Sequence, residues 1–182
     1  MKLSKEIVEP LLHWYQENAR KLPWRSDATP YHVWVSEIML QQTRVEAVID
    51  YYYRFMEALP TIQDLAMIDE EKLLKLWEGL GYYSRVRNLQ KTAQLLCRDN
   101  EGKLPENYDE LIKLPGIGPY TAGAISSIAY QKKVAAVDGN VLRVVSRLSL
   151  DPACIDEERV RKMWKEEIEK VLAQLSQQAA EH

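Results

Sequence analysis

The chain has 182 residues, of which 46% are hydrophobic and 28% charged, a composition that fits one globular domain or two small ones. No apolar run approaches the roughly 18 residues of a membrane helix, and the N-terminus has no apolar stretch of a signal peptide, so we expect a cytoplasmic protein without a membrane partner. The net charge of −3 argues by itself against a nucleic-acid binder, but the grouping of the cations matters more than the total. The basic residues form three local groups: Arg20, Lys21 and Arg25; Arg85 and Arg87; and Lys132, Lys133, Arg143 and Arg147.

Apolar residues recur at helical spacing along nearly the whole chain, and no alternating run persists long enough for a strand. Pro30 suits the first turn of a helix, and Thr43 can cap the helix that follows. The sequence therefore predicts an all-α fold. The first predicted helix ends near residue 19, residues 21–30 form a connector, and further helices begin near residues 30, 43, 61, 70, 84, 119, 138 and 156. Residues 107–113 lead into the turn before residue 119.

Residues 114–122 read Leu-Pro-Gly-Ile-Gly-Pro-Tyr-Thr-Ala, the most informative segment of the chain. Gly116 and Gly118, one residue apart, predict a tight turn whose amides can point outward, because glycine adopts backbone angles that other residues avoid. A helix of small residues then begins at Pro119. Its first N–H groups lack intrahelical partners and favour a bound phosphate.

Two carboxylates are candidates for chemistry. Glu37 lies between apolar residues on a helix that should be mostly buried, where burial would raise its pKa toward that of a general acid. Asp138 opens the helix after residues 134–137. The alternatives are a solvated helix position for Glu37 and an ordinary cap or turn for Asp138. As a pair, one acid could protonate a leaving group while the other stabilises a cationic sugar, which is how glycosidic bonds are generally broken.

Two turns between helices carry polar or aromatic tips. Gln41, Gln42 and Thr43 follow the Glu37 helix, and Tyr82 follows a break at residues 79–81. Either turn can be an ordinary loop. The functional interpretation is a pair of wedges that enter a base stack and hold open the gap left by a flipped nucleotide.

These motifs together resemble the helix-hairpin-helix DNA glycosylases of the endonuclease III superfamily, and most of all their adenine-specific, MutY-type branch. The resemblance rests on the 114–122 segment, on Val-Asp-Gly-Asn at 137–140, on Leu-Pro-Trp-Arg at 22–25, on Ser-Glu-Ile-Met-Leu-Gln-Gln-Thr at 36–43 and on Trp-Glu-Gly-Leu-Gly-Tyr-Tyr-Ser-Arg at 77–85. Lyases of the superfamily have a Schiff-base lysine at the position of Tyr120. A tyrosine there favours a monofunctional glycosylase that uses water.

The resemblance implies a role for each candidate. Glu37 would protonate a flipped adenine at N7 and position the water, and Asp138 would stabilise the oxocarbenium ion. The remaining roles are a sugar-side wall from Tyr120 and Asn140, a base pocket from Arg20, Leu22, Trp24 and Arg25, DNA contacts from Gln41, Gln42, Thr43 and Tyr82, and a phosphate seat at the amides of Gly116, Gly118 and Tyr120. The implied partner is double-stranded DNA with adenine opposite 8-oxoguanine or guanine, bound by a monomer.

The resemblance also implies an architecture. Residues 20–130 would form a six-helix barrel with the hairpin at about 114–119, and residues 1–19 with 131–182 would form a second helical lobe, the carboxylates facing the cleft between them.

Family members carry an iron–sulfur cluster on four cysteines and usually a C-terminal domain that recognises 8-oxoguanine. Cys97 and Cys154 do not match the ligand pattern, and we expect both to pack as small apolar residues. We therefore expect no cofactor in this chain except a monovalent cation on the hairpin carbonyls. Because the chain stops at His182, we expect a shortened form with weakened DNA binding and lesion discrimination.

Two other functions stay open on the sequence. One is a thymine or uracil mismatch glycosylase, which Tyr120 and Asp138 also suit, although a pyrimidine offers no N7 to Glu37. The other is a non-catalytic helix-hairpin-helix DNA-binding module, which needs the phosphate seat but not both carboxylates.

Overall fold

The computed structural model describes residues 5–180, with side chains for residues 6–173. All regular structure in this part of the chain is helical, which confirms the predicted all-α class. A 3₁₀ turn at Lys5–Ile7 precedes eleven α-helices: α1 Val8–Asn18, α2 Pro23–Ser26, α3 Pro30–Leu40, α4 Val45–Ala58, α5 Ile62–Met67, α6 Glu70–Trp77, α7 Ser84–Asp99, α8 Tyr108–Leu111, α9 Pro119–Ala124, α10 Gly139–Leu148 and α11 Glu158–Ala180. A π-helical turn, Ile125–Ala129, continues α9.

Local signals explain where several helices begin. Pro30 is the first residue of α3, as predicted. Asp69 caps α6 by accepting hydrogen bonds from two backbone amides, and Thr61 and Asp64 form a reciprocal capping box at α5. Asp138 caps α10 by accepting a hydrogen bond from the Val141 amide.

Three local predictions are wrong. The connector after residue 21 contains a one-turn helix, α2. Thr43 does not cap α4: Arg44 occupies that position, and the Thr43 hydroxyl donates instead to the Gln41 carbonyl at 3.3 Å. The last helix begins at Glu158, two residues later than predicted, because residues 156 and 157 still belong to a turn.

The larger hydrophobic core surrounds α3. Seven of its eleven residues are buried, and its neighbours include fully buried Phe55 and Trp77, whose rings meet edge to face at 6.1 Å. This core extends from Leu22 to Ile125. Because α3 is enclosed on almost every side, a polar residue on it lies either in the core or in a cleft.

A smaller second core lies between α10 and α11. It consists of Leu142, Val145, Val160 and Trp164. The predicted division of the chain into lobes at residues 20–130 and the remainder stays a prediction; the two cores fall on either side of residue 130.

Helix α1 has no buried side chain. Leu11, Trp14 and Tyr15 are each roughly half exposed. The Arg25 guanidinium lies 5.7 Å from the Tyr15 ring centroid.

No helix in residues 5–180 is long and apolar enough to cross a membrane.

Candidate active site

Segments distant in the sequence meet around one cleft of about 680 Å³. Eleven of the residues singled out in the sequence line it: Arg20, Leu22, Trp24, Arg25, Glu37, Gln41, Gln42, Thr43, Tyr120, Asp138 and Asn140. Tyr82, Gly116 and Gly118 lie outside this cleft. The structure thus brings both candidate carboxylates and the expected base-pocket residues to one place.

Glu37 is partly buried on α3, between buried Ser36 and Ile38. Burial raises the pKa of the Glu37 carboxyl, because desolvation disfavours its charged form. A hydrogen bond with the Tyr120 side chain opposes this rise, the charge of Asp138 adds to it, and the charge of Arg25 opposes it. Burial dominates, so the group is held toward its protonated form, as a general acid requires.

Tyr120 lies in the first turn of α9, beside Glu37. Burial and the adjacent Glu37 carboxylate raise the pKa of the Tyr120 hydroxyl, so this side chain stays neutral and can donate or accept a hydrogen bond. The hydrogen bond between Tyr120 and Glu37 ties the beginning of α9 to the last turns of α3.

Asp138 is held in a fixed orientation at the start of α10. Its Oδ1 accepts a hydrogen bond from the Val141 amide at 2.8 Å, and its Oδ2 accepts one from Asn140 Nδ2 at 3.0 Å. Asp138 can therefore be both a helix cap and a catalytic carboxylate, because the capping hydrogen bond orients the carboxylate at the cleft. Asn140 lies in the cleft as a partner of Asp138.

Gly123 allows the segment that leads to Asp138 to pass close to α9. A Cβ added to Gly123 would lie 2.8 Å from the Ala135 carbonyl oxygen and 3.1 Å from the Ala136 Cα. The other side of the segment is tied to α11, since the Ala135 amide donates to Glu169 Oε1 at 3.2 Å. Close packing on both sides determines where Asp138 emerges.

The segment around α2 forms a further wall of the cleft. Leu22 and Trp24 are buried, and Trp24 meets Tyr52 edge to face at 5.3 Å. Arg20 and Arg25 are exposed, and Arg25 Nη1 donates to the Arg20 carbonyl at 3.2 Å. The result is an apolar, aromatic wall with a basic rim.

Sequence reasoning missed Ile128, which also lines the cleft and is 43% exposed. It belongs to the π-helical turn after α9. Such turns shift the following side chains around the helix axis and occur often at functional sites. No sequence pattern indicates this turn, so the contribution of Ile128 could not be predicted. Ser36, Val33, Leu40 and Val45 complete the lining.

The two predicted wedge loops have unusual backbone at their tips. Gln42 has φ 57° and Tyr82 has φ 47°, both in the left-handed region that side chains other than glycine seldom adopt. Tyr82 is 63% exposed. Both side chains therefore project from strained positions on helix–helix turns.

The hairpin at residues 114–119 exposes both of its glycines, while Ile117 between them is buried. Gly116 has φ 77°, and an added Cβ would lie 2.8 Å from Asn88 Cβ, so this position requires glycine. Gly118 is the N-cap of α9 and leaves the first amides of that helix without a side-chain cap. The predicted phosphate seat and the hairpin cation remain predictions.

The residues of this chain do not fit a cluster held by four thiolates. The two cysteines are both free; Cys97 is partly buried, and Cys154 is exposed, contrary to the prediction that both pack inside. Within the described residues no group of three or more His, Cys, Asp or Glu side chains could hold a metal ion.

Two helices joined by a glycine hairpin, next to a cleft with a helix-capping aspartate and a partly buried glutamate, define a helix-hairpin-helix protein. The profile of the HhH-GPD superfamily of base excision DNA repair proteins matches residues 35–170, and the chain belongs to this family.

Three known proteins illustrate the relationship. The chain is 50% identical to the adenine DNA glycosylase of Mus musculus over 147 residues, a match that covers 76% of this chain and 28% of the mouse protein. A thermostable thymine-DNA glycosylase has a similar structure, with a TM-score of 0.82 at 27% identity, over 92% of this chain and 77% of that one. A trapped endonuclease III–DNA covalent intermediate, an estranged-adenine complex, aligns with a TM-score of 0.74 at 27% identity, over 93% of this chain and 77% of that one.

The chain spans between about a quarter and about a half of the length of the curated adenine DNA glycosylases that it matches.

Proposed function

We propose that this chain carries the catalytic cleft of a monofunctional adenine DNA glycosylase that removes adenine opposite 8-oxoguanine or guanine. The observation that carries the proposal is the placement of Glu37, Tyr120 and Asp138 around one cleft, with burial holding the pKa of Glu37 above its usual range. The 50% identity to the mouse adenine DNA glycosylase supports adenine as the base. Every residue that lines the cleft comes from this chain, and we propose a monomer as the acting species.

In the proposed reaction, double-stranded DNA is the partner and the adenine is flipped into the cleft. Glu37 donates its proton to N7, which weakens the bond between N9 and the sugar C1′. That bond breaks with both electrons going to the base, and the ionised Asp138 stabilises the oxocarbenium ion that remains. Water adds to C1′ and gives its proton to the Glu37 carboxylate, which restores the acid.

Tyr120 and Asn140 act on the two carboxylates in this scheme. Tyr120 keeps the Glu37 carboxyl oriented through their hydrogen bond, and Asn140 does the same for Asp138. Because Tyr120 offers no amine, no Schiff base can form at this position, and the product is an intact strand with an abasic site.

A single-turnover assay tests the proposal. A duplex with one adenine opposite 8-oxoguanine is incubated with the protein, and alkali is then added to cut abasic sites. Strand breaks should require alkali and should fall by at least about 100-fold in Glu37→Gln and Asp138→Asn. Glu57→Gln, an exposed carboxylate on α4 outside the cleft, is the matched control and should cleave like the wild type.

A second candidate is a thymine or uracil mismatch glycosylase, favoured by the TM-score of 0.82 to the thymine-DNA glycosylase. Duplexes with thymine or uracil opposite guanine, run in the same assay, separate the two functions. Cleavage of these and not of the adenine duplex would reverse the assignment. Duplex binding without any cleavage would instead support the non-catalytic DNA-binding module.

A further inference from the structure

Arg85, in the first turn of α7, binds backbone carbonyls at the end of α3, in the loop after it and in the loop before α7. Its Nη1 donates to the carbonyls of Ile38, Met39 and Gln41 at 2.9, 3.2 and 2.6 Å. Its Nη2 donates to the carbonyls of Leu80 and Gly81 at 3.0 and 3.3 Å. One side chain therefore spans the end of α3 and the loop before α7.

The guanidinium also lies between two aromatic rings. Its Cζ is 5.4 Å from the Trp77 ring centroid and 5.5 Å from that of Tyr82. The Arg85 Nε is buried and has no hydrogen-bond partner among the described residues. Sequence grouping placed Arg85 with Arg87 as a candidate surface cation, but these contacts turn its donors inward and leave little for a phosphate.

The contacts fall at the strained points of both loops. Gln42 and Tyr82 both have positive φ, and the carbonyl that immediately precedes each of them, on Gln41 and on Gly81, accepts a hydrogen bond from Arg85. Non-glycine residues remain in such conformations only when their surroundings hold them there. The hydrogen bonds of Arg85 stabilise the backbone conformations of both loops.

The same contacts also stabilise the C-terminal end of α3. The last carbonyls of a helix lack intrahelical donors, and a cation near them complements the helix dipole. Arg85 satisfies three carbonyls at the end of the helix that carries Glu37. A lysine at this position would be a point charge without the planar fork that reaches five acceptors.

We infer that Arg85 is a positioning residue that locks the Gln42 and Tyr82 loop tips into one rigid pair and fixes that pair relative to the end of α3. The effect of this lock on DNA binding rests on the proposed function. If the Gln42 and Tyr82 tips enter a duplex together, the distance between them must stay constant. Arg85 acts through these tips and not by contact with DNA.

Hydrogen exchange of the free protein tests the lock without any DNA. In Arg85→Lys and Arg85→Met, amide exchange in residues 40–44 and 79–83 should rise together by about tenfold, while exchange in α4 stays unchanged. Arg87→Met is the matched control, because Arg87 is exposed on the same helix and pairs with Glu70 at 2.8 Å. The lysine variant keeps the charge and most of the volume, so it decides the question if the methionine variant fails to fold.

A rise in only one loop, no rise in either, or a rise throughout the chain would overturn the inference. The last of these results is what a general structural role produces.

Binding of mispaired and fully paired duplexes gives the second readout. Arg85→Lys should weaken binding of the mispaired duplex by about tenfold and leave binding of the paired duplex unchanged. In a Gln42→Ala/Tyr82→Ala background the same substitution should have no further effect, because the residues it acts through are gone. An equal tenfold loss in that background would show that Arg85 acts by another route. If the single-turnover assay shows no removal of adenine by the wild type, the proposed function fails, while the exchange result still decides the lock.

Discussion

Tyr120 and Glu37 share a hydrogen bond at the cleft, although one residue lies in the first turn of α9 and the other near the end of α3. The bond lowers the pKa of Glu37, whereas burial raises it, and burial is the larger effect. Two opposing effects thus set the pKa of Glu37, and mutation of Tyr120 can separate them.

Tyr120→Phe removes only the hydroxyl and should raise the pKa of Glu37 further, because the interaction that favours its ionised form is lost. An acid works only while protonated, so the pH at which single-turnover cleavage falls off should move upward. The pH profile of the cleavage rate measures this shift. Tyr53→Phe, exposed on α4 and outside the cleft, is the control; an unchanged or lowered profile in Tyr120→Phe would contradict the assignment.

Glu37→Gln should increase stability at neutral pH relative to the wild type. The folded-state pKa of Glu37 is raised, so its contribution to stability is fully present below the unfolded value of about 4.3 and is lost as pH rises through the folded value. The stability difference should therefore grow between these two values and then level off. Urea unfolding at several pH values from about 4 to 8 measures it, and a pH-independent difference would refute this account.

Gly123→Ala should destabilise the protein by about 1–3 kcal/mol, because the new methyl meets the Ala135 carbonyl oxygen. The displaced backbone leads to Asp138, so cleavage should also slow. Urea unfolding and the single-turnover rate measure the two effects. Gly139→Ala is the stability control, since nothing lies within 4 Å of a Cβ there; equal losses in both variants would argue against the close approach as the cause.

Gly116→Ala should cost about 1–2 kcal/mol of stability, because an L-residue is disfavoured at φ 77°, and the contact with Asn88 adds to the cost. Gly118 has φ −87° and open space around an added Cβ. Gly118→Ala should therefore have the same thermal stability as the wild type. Thermal unfolding compares them. If the hairpin holds a phosphate, Gly116→Ala should also weaken binding of paired and mispaired duplexes to the same extent. A loss of binding to the mispaired duplex alone would count against that role.

Local features of the chain were readable from the sequence. The helical periodicity predicts the all-α class, and Pro30 and Thr61 mark helix starts that the structure has at the same places. The chemistry of Glu37 and Asp138 also suggested a pair. These features depend on the residue itself or on neighbours within a turn or two of chain.

Packing decided the rest. Arg85 carries no sequence sign that it faces five carbonyls and not solvent, and Ile128 enters the cleft only because a π turn follows α9. Thr43 loses its predicted cap because the Gln41 carbonyl, held at the end of α3, takes its hydroxyl. The sequence by itself determined the helices, the glycine hairpin and the kinds of groups available for chemistry. Only the tertiary structure decided that Glu37, Tyr120 and Asp138 meet, because their separation depends on how three helices pack around Gly123 and the main core.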